Sequence, residues 1–309
     1  MTRSTHHSSP VSPDLLHGFV VIDKPAGWTS HDVVARIRRL TGLRRVGHAG
    51  TLDPMATGVL PLALGQATKL LEYLSEADKG YRATVRLGLT TDTDDATGAP
   101  LVERPWQHVT EEAVRRALAE FVGTVQQVPP AYSAIKRSGV PLYRLARRGQ
   151  QVTAPPRTVT IHRIDVLAVA LPDVTFEVAC SKGTYIRSLA RDLGDRLGTG
   201  GHLRALRRLW TGPFDLRSAH TLDEVAQAAE SGALPSLILP PDTVLPTAPA
   251  LVLGPRGERR LVTGQALGIA AAHPSGTVGR AYSVDGAVLG VVQVVHGEWR
   301  PHKVLSGPG

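Results

Sequence analysis

The chain has 309 residues, 42% of them hydrophobic and 20% charged, and carries a formal net charge of +8. This length suffices for about two domains with a sizeable core, and the composition excludes a disordered chain. No apolar run is long enough to span a bilayer, and the polar N-terminal segment lacks the apolar stretch of a signal peptide. We therefore expect a cytoplasmic protein with no membrane partner.

The first third of the chain predicts strands and one amphipathic helix. Residues 1–17 are polar and predict a disordered tail, and residues 18–23 are typical of a strand. A helix follows, with Ser30 as its expected cap and Gly42 at its end. Residues 81–89 alternate apolar and polar side chains, as a half-buried strand does. The apolar stripe of the helix consists of Val33, Val34, Ile37 and Leu40.

Helices and strands continue through the middle of the chain. Residues 111–122 predict a helix whose first turn is acidic, which suits the dipole at its N-terminus. Residues 141–149 have proline near the start and glycine at the end of a second predicted helix. Residues 174–180 alternate as a strand, and Thr184 is expected to open a helix. A further helix is predicted at 221–231, with a capping box formed by Thr221 and Glu224.

The composition changes after residue 233. Residues 234–249 contain five prolines and predict a linker or an extended connection. Asp285-Gly286 lies between two strand-like segments, which is a strong indication of a hairpin. The sequence therefore predicts a small β domain at 250–309, with strands at 278–284, 287–295 and 299–305.

The basic residues are concentrated in three segments without acids. Of the 35 basic residues, 29 are arginine, and no acid occurs between residues 121 and 164. The other two basic segments lie at 36–45 and 204–208. Guanidinium groups match phosphates and stack on bases, so this pattern favours a nucleic-acid partner over an ordinary solvated surface. In the acid-free segment between residues 121 and 164 we expect phosphate contacts at Arg144, Arg147 and Arg148.

Cysteine, histidine and acidic residues give no indication of a metal site. The single cysteine, Cys180, excludes an internal disulfide, and its place in an alternating strand predicts a buried thiol and not a nucleophile. The acidic run 92–95 fails the test for a calcium loop, because Ala96 and Thr97 stand where a ligand and a glycine are required. We interpret that run as a solvated turn and predict no metal.

One glycine-rich loop presents a single carboxylate. Gly47 and Gly50 allow positive φ or a close approach of the backbone, and Pro54 holds Asp53 in an extended conformation. No other acid lies within the twenty residues before Asp53. A lone positioned carboxylate indicates a nucleophile, because two-acid glycosidases need a second carboxyl group about 5 to 10 Å away. The alternative is a surface turn opened by the Asp-Pro dipeptide.

The loop belongs to a longer stretch that carries a family resemblance. Residues 47–69, GHAGTLDPMATGVLPLALGQATK, resemble the catalytic motif of the TruB family of tRNA pseudouridine synthases. Three further segments resemble the family in order and spacing, and the whole resemblance extends from about residue 18 to 215. These segments are Lys24-Pro25 with Gly27 and Ser30, then Lys79-Gly80-Tyr81, then CSKGTYIR at 180–187.

The resemblance implies a fold and a domain organisation. The expected class is α/β (α+β), with a mixed, largely antiparallel sheet flanked by helices and an active-site cleft across the sheet. A catalytic domain is expected at 18–233, and the C-terminal β domain resembles a PUA-type RNA-binding module. That module lacks a sharp motif, so a packing lid without RNA contact is the alternative.

The resemblance also implies catalytic roles. Asp53 matches the essential carboxylate, which attacks the ribose or the pyrimidine ring or assists a glycal route. Arg187 matches the arginine expected to orient that carboxylate and to favour its ionised form. Tyr81 is expected to stack on the flipped base, with its hydroxyl available for the proton removed from C5.

Further positions are implied to bind substrate. Tyr185 is expected to border the uracil pocket, and Leu206 to line it. His48 looks like the residue that fills the space vacated by the flipped nucleotide. Lys24 and Lys69 match family positions that are structural or face phosphates.

These roles predict an isomerase that converts uridine 55 in the T loop of tRNA to pseudouridine, by base flipping, as a monomer and without a cofactor. An RNA-binding or tRNA-folding protein that acts without catalysis is the alternative. Nucleoside hydrolysis is a third hypothesis, and it predicts release of free uracil.

Overall fold

The computed structural model describes residues 16–132, 136–137, 140–141 and 154–305, with the backbone alone at 136–137 and 140–141. Most of the predicted N-terminal tail lies outside the described residues. So do nearly all of the helix predicted at 141–149 and the three arginines expected to contact phosphates, Arg144, Arg147 and Arg148.

The elements up to residue 141 alternate between strands and helices. They are β1 (Gly18–Lys24), α1 (Ser30–Thr41), β2 (Val46–His48), β3 (Thr57–Leu64), α2 (Leu71–Glu76), β4 (Lys79–Leu87), β5 (Leu89–Thr91), β6 (Pro100–Glu103), α3 (Glu111–Ala119), β7 (Gly123–Gln127), β8 (Lys136–Arg137) and β9 (Val140–Pro141).

The elements after residue 156 continue the large sheet and add a second one. They are β10 (Arg157–Ala170), β11 (Asp173–Cys180), α4 (Ile186–Arg196), β12 (Gly201–Thr211), β13 (Phe214–Asp215), β14 (Ala219–His220), α5 (Leu222–Glu230), β15 (Ala250–Leu253), α6 (Pro255–Val262), β16 (Val278–Ser283), β17 (Val288–Val295) and β18 (Glu298–Val304).

The main sheet is mixed and largely antiparallel, which confirms the predicted fold class. Its strand order is β14-β1-β3-β12-β4-β11-β10-β7, with β13 paired to β12 and β2 paired to β3. Only the β1–β14 and β3–β12 pairs are parallel within this sheet as described. The central strands β12, β4 and β11 carry the side chains that build the site described below.

The two faces of the sheet pack against different partners. Val20 and Ile22 of β1 belong to a core shared with α1, α3, α4 and α5. Their neighbours Phe19 and Val21 point to the opposite face, where they share a second core with Val291 and Leu305 of the C-terminal region. Successive side chains of a strand alternate in direction, so β1 is buried on both faces.

The start of α1 differs from the prediction. Thr29, and not Ser30, caps the helix, and Thr29 forms a capping box with Asp32. Ser30 is fully buried, and its hydroxyl donates to the Leu52 carbonyl and accepts from the Leu52 amide. The capping box predicted at Thr221 and Glu224 is confirmed at the start of α5.

The C-terminal region forms a separate four-stranded sheet in the order β15-β16-β17-β18. The predicted hairpin is confirmed: β16 and β17 are antiparallel, and Gly286 between them has a φ of 82°. Two 3-10 turns, Leu234–Leu237 and Pro241–Val244, precede this sheet. None of the helices in the described ranges is long and apolar enough to cross a membrane.

Candidate active site

A cavity of about 270 Å³ opens on the helical side of the main sheet. This volume lies near the lower end of the range for small-molecule sites, which is enough for one base. The loop after β2, the strands β4 and β12, and the start of α4 all contribute side chains. Among the residues that line it are Asp53, Lys79, Tyr81, Tyr132, Tyr185, Arg187, Leu206 and Arg208.

The loop that carries Asp53 is fixed on both sides of that residue. On one side, the Leu52 amide donates to the Ser30 hydroxyl at 3.0 Å. On the other, the Pro54 carbonyl accepts from the Gly27 amide at 2.8 Å and from the Lys24 ammonium at 3.3 Å. The backbone therefore holds the Asp53 carboxylate in place before any substrate binds.

Arg187 lies directly against that carboxylate. Its Nε is 3.0 Å from one Asp53 oxygen, and its Nη2 donates to the other at 3.3 Å. Nη1 donates to the Thr93 carbonyl at 3.0 Å, and Nη2 also donates to the Tyr132 carbonyl at 2.8 Å. With these carbonyls behind it, the guanidinium is fixed from three directions, and the fork-shaped contact sets the orientation of the carboxylate.

The pKa of Asp53 results from opposing influences. Burial raises the pKa of the Asp53 carboxyl, Arg187 opposes that rise, and Asp95 adds to it. Arg187 thus favours the ionised form as expected, but the net direction is upward because burial outweighs it. More than a third of the side chain, 36%, still faces the cleft, so RNA that covered it would complete the desolvation.

Tyr81 enters the cavity from β4, on the same face as the helical core. Its side chain is buried, and burial raises the pKa of its hydroxyl. The largest influence that opposes this rise comes from the Arg208 guanidinium, which lies on β12 directly across the strand pair from Tyr81. Leu206, two residues earlier on β12, adds an apolar wall to the cavity.

Tyr185 borders the opposite side of the cavity. It is the cap residue of α4, and its backbone exchanges two hydrogen bonds with the Gln127 side chain, at 2.8 and 3.0 Å. The Arg157 guanidinium lies over its ring, 5.3 Å from the centroid. The helix begins at Ile186, two residues after the predicted Thr184, and its first turn aims Arg187 into the site.

Two family models match most of the chain. The model described as TruB family pseudouridylate synthase (N terminal domain) matches residues 38–186. The model described as tRNA pseudouridylate synthase B C-terminal domain matches residues 187–246. The chain belongs to the TruB family.

Curated TruB relatives cover nearly the whole length. The tRNA pseudouridine synthase B of Thermobifida fusca (strain YX) is 48% identical over 303 residues, covering 94% of this chain and 99% of the relative. The protein of the same name from Ralstonia nicotianae (strain ATCC BAA-1114 / GMI1000) is 47% identical over 298 residues, covering 94% of each chain.

Solved structures share the fold. A chain of a crystal structure of a Cbf5-Nop10-Gar1 complex matches with a TM-score of 0.75 at 28% identity, covering 96% of this chain and 88% of that chain. A chain from an H/ACA RNP bound to a substrate RNA containing 2'-deoxyuridine matches with a TM-score of 0.73 at 24% identity, covering 98% and 92%. The second likeness is one of fold alone.

Two of the TruB positions lie behind the cavity and not in its wall. Lys24 is fully buried, donates to the carbonyls of Pro25, Trp28 and Pro54, and has its pKa lowered to about 8, chiefly by burial. His48 packs edge-on against His31 with ring centroids 5.5 Å apart. Burial and the charges of His31 and Arg208 lower the pKa of His48 to about 4, so its ring is neutral at physiological pH.

Lys69, the second lysine that the resemblance implied, is remote from the cavity. The Lys69 ammonium donates to the Val304 carbonyl of β18 at 2.6 Å. Close by, Lys303 forms an ion pair with Glu72 at 2.9 Å. Both contacts join the segment after β3 to the C-terminal sheet, so in this structure Lys69 contacts the other domain.

The acidic run at 92–95 corrects one interpretation of the sequence. Asp95 is buried and lies 3.7 Å from the Arg187 guanidinium, and Asp94 pairs with Arg191 at 3.0 Å. The turn is therefore not solvated. Thr93 and Thr97 direct their hydroxyls to one Asp95 oxygen, at 2.8 and 2.6 Å, so the run forms a polar support beneath Arg187.

Sequence reasoning also missed Tyr132 and Arg208 as residues of the site. Tyr132 follows a Pro-Pro pair in the acid-free segment, and nothing in its spacing distinguishes it. Arg208 was assigned only to a basic segment. The alternation along β12 would have placed it on the same face as Leu206, because residues two apart on a strand share a face. Among the described residues, no cluster of three or more His, Cys, Asp or Glu side chains is arranged to hold a metal ion.

Proposed function

We propose that this chain isomerises uridine 55 in the T loop of tRNA to pseudouridine, with Asp53 as the essential carboxylate. The observation that carries the proposal is the Asp53–Arg187 pair at the wall of a cavity sized for one base. The curated relatives named tRNA pseudouridine synthase B support the substrate class. The chain acts as a monomer on the T stem-loop.

The reaction has three steps that the site must support. The uridine must leave the helical stack, the bond from ribose C1′ to uracil N1 must break, and C1′ must then bond to C5. Asp53 is fixed by its own loop, so it meets the flipped nucleotide with little reorganisation. Tyr81, Tyr185 and Leu206 supply ring and apolar surfaces that hold the detached base.

The position of the modified nucleotide is tested with two transcripts. One is an unmodified tRNA, and the other carries cytidine in place of uridine 55. Chemical mapping of pseudouridine after incubation should show one product, at position 55 of the first transcript and nowhere in the second. Modification elsewhere in both would contradict the assignment to the T loop.

The same incubation separates isomerisation from hydrolysis. An isomerase keeps the uracil attached to the tRNA, so no free base should accumulate as C5 hydrogen is lost. Free uracil in proportion to turnover would support nucleoside hydrolysis. Tight binding with neither product would support an RNA-binding or tRNA-folding protein that acts without catalysis.

A further inference from the structure

Arg208 is a fully buried arginine with no carboxylate partner in the described part of the chain. Its Nε donates to the Val59 carbonyl at 2.6 Å, and its Nη1 donates to the Gly50 carbonyl at 3.0 Å. Nη2 is buried without a hydrogen-bond partner. Burying an unpaired charge is costly, so this guanidinium favours any negative charge that forms beside it.

Two lysines near Arg208 add positive charge. Lys24 on β1 and Lys79 on β4 each have a pKa that Arg208 lowers. His48 on β2 is also near Arg208, but its ring is neutral. The Asp53 carboxylate in the cavity wall already forms an ion pair with Arg187. Tyr81 lies directly across the β4–β12 pair from Arg208, and both side chains line the cavity.

Three charged or titratable groups act most directly on the Tyr81 hydroxyl, and Lys79, Tyr132, Tyr185 and Arg187 line the same cavity. Arg208 faces Tyr81 from β12, Cys180 from β11, and Asp53 from the loop before β3. The Cys180 thiol is buried, and burial raises its pKa to about 11, so it stays neutral. A proton taken from the Tyr81 hydroxyl would therefore leave a phenolate next to a buried cation.

We propose that Arg208 is a positioning residue that stabilises a transient Tyr81 phenolate, through which Tyr81 carries one proton between two atoms of the base. This inference rests on the proposed function. It concerns the Arg208–Tyr81 pair and not the fate of Asp53.

Tyr81 gives one proton to the base and regains one from it within one isomerisation. When the C1′–N1 bond breaks, its electron pair goes to N1, and the Tyr81 hydroxyl gives N1 a proton and becomes a phenolate. The base then rotates, and the C5–C6 π electrons form the C1′–C5 bond. The phenolate takes the C5 proton, the electrons of that C–H bond restore the ring, and the tyrosine is regenerated. Pseudouridine carries the hydrogen at N1 that this sequence delivers.

Arg208 also fixes backbone, so the test must separate that role from the effect on Tyr81. Arg208→Gln keeps hydrogen-bonding capacity but removes the charge. We expect its kcat to fall about 100-fold, the lower range for loss of general acid–base catalysis, with KM for tRNA within about twofold of the parent. The primary isotope effect with deuterium at uridine C5 should increase, because proton removal becomes slower than the other steps. Arg82→Gln, on the exposed face of the neighbouring strand β4 and paired with Glu177, is the matched control and should change neither kcat nor the isotope effect.

Replacing Tyr81 by a fluorinated tyrosine provides the second arm, since its phenol is more acidic. In the Arg208→Gln variant, the fluorinated tyrosine should raise kcat at least about tenfold above that of Arg208→Gln with ordinary tyrosine. If Arg208→Gln does not fold, the fluorinated tyrosine alone, with Arg208 present, should shift the pH dependence of the isotope effect to lower pH. A loss of activity with an unchanged isotope effect and no restoration would overturn the proposal and leave Arg208 a structural residue. That outcome leaves the proposed function intact, which fails separately if Asp53→Asn still forms pseudouridine.

Discussion

The Asp53 carboxylate and the Arg187 guanidinium form an ion pair whose two members are unequally buried. The Asp53 side chain is 36% exposed and that of Arg187 is 6% exposed. The arginine is held from behind by two backbone carbonyls, and the acid faces the cleft. This asymmetry lets a substrate reach the carboxylate while the guanidinium continues to orient it.

Removing Arg187 should weaken both stability and turnover. Arg187→Met leaves Asp53 and the buried Asp95 without their cation, so we expect a loss of about 3 kcal/mol in the free energy of unfolding. The kcat should fall by at least about 100-fold, because the carboxylate loses its orienting group. Urea denaturation and single-turnover kinetics measure the two effects. The control is Arg82→Met, which breaks the exposed Arg82–Glu177 pair and should cost at most about 1 kcal/mol. Equal losses in the two variants would show that the burial of Arg187 contributes nothing.

Asp95 should set part of the acid limb of the pH profile. Its charge helps to raise the pKa of Asp53, and Asp53 must be ionised to act. Asp95→Asn should therefore lower the pKa of Asp53 and move the acid limb of kcat/KM to lower pH. Asp92→Asn is the control, since Asp92 accepts the Ala99 amide and is not among the groups that shift the pKa of Asp53. An acid limb that stays fixed in Asp95→Asn would show that the two carboxyls are not coupled.

His48 should remain neutral through the physiological range. With a folded-state pKa of about 4 against 6.5 for an unperturbed ring, the unfolded chain binds more protons between these values. The His48 contribution to stability is thus complete above pH 6.5 and decreases as the pH falls toward 4. Nitrogen NMR of labelled histidine should give a midpoint near 4 for His48, and His31→Gln should raise it, because the charge of His31 lowers it. A midpoint near 6.5 in both proteins would contradict the burial of this ring.

The acid-free segment should determine much of the salt dependence of tRNA binding. Changing Arg144, Arg147 and Arg148 together to alanine should reduce the slope of log K against log salt by about 2 to 3, if each arginine contacts one phosphate. Arg115 and Arg116 provide the control, because both are paired with acids on α3. Replacing that pair by alanine should leave the slope unchanged. An unchanged slope in the triple variant would indicate that the RNA-binding surface lies in another part of the protein.

The sequence predicted those helices and strands that have a regular apolar pattern and a distinctive turn or cap residue at one end. The strand at Tyr81, the hairpin around Gly286 and the capping box at Thr221 all follow from local rules of alternation, turn geometry and capping. The motif around Asp53 and the arginine at 187 were identified through the resemblance to the TruB family, since each stands in a distinctive residue order.

What the sequence could not predict depends on contacts between distant segments. The acidic run at 92–95 satisfies every local criterion for a solvated turn. Distant segments bury it, because Asp95 lies under Arg187 of α4 and pairs with Leu203 of β12. The same holds for the rise in the pKa of Asp53, since desolvation depends on the walls of the cavity. Ser30 was expected to cap α1 because its residue type suits a cap, yet its hydroxyl is committed to Leu52, 22 residues away.

The most direct test of the account compares the parent chain with Asp53→Asn. Unmodified tRNA labelled with tritium at uridine C5 releases tritium to solvent when C5 bonds to the ribose. We predict release by the parent, none by Asp53→Asn, and similar tRNA affinity for both, because the basic segments are unchanged. Release by Asp53→Asn at a rate comparable to the parent would contradict the central claim that this carboxylate is essential.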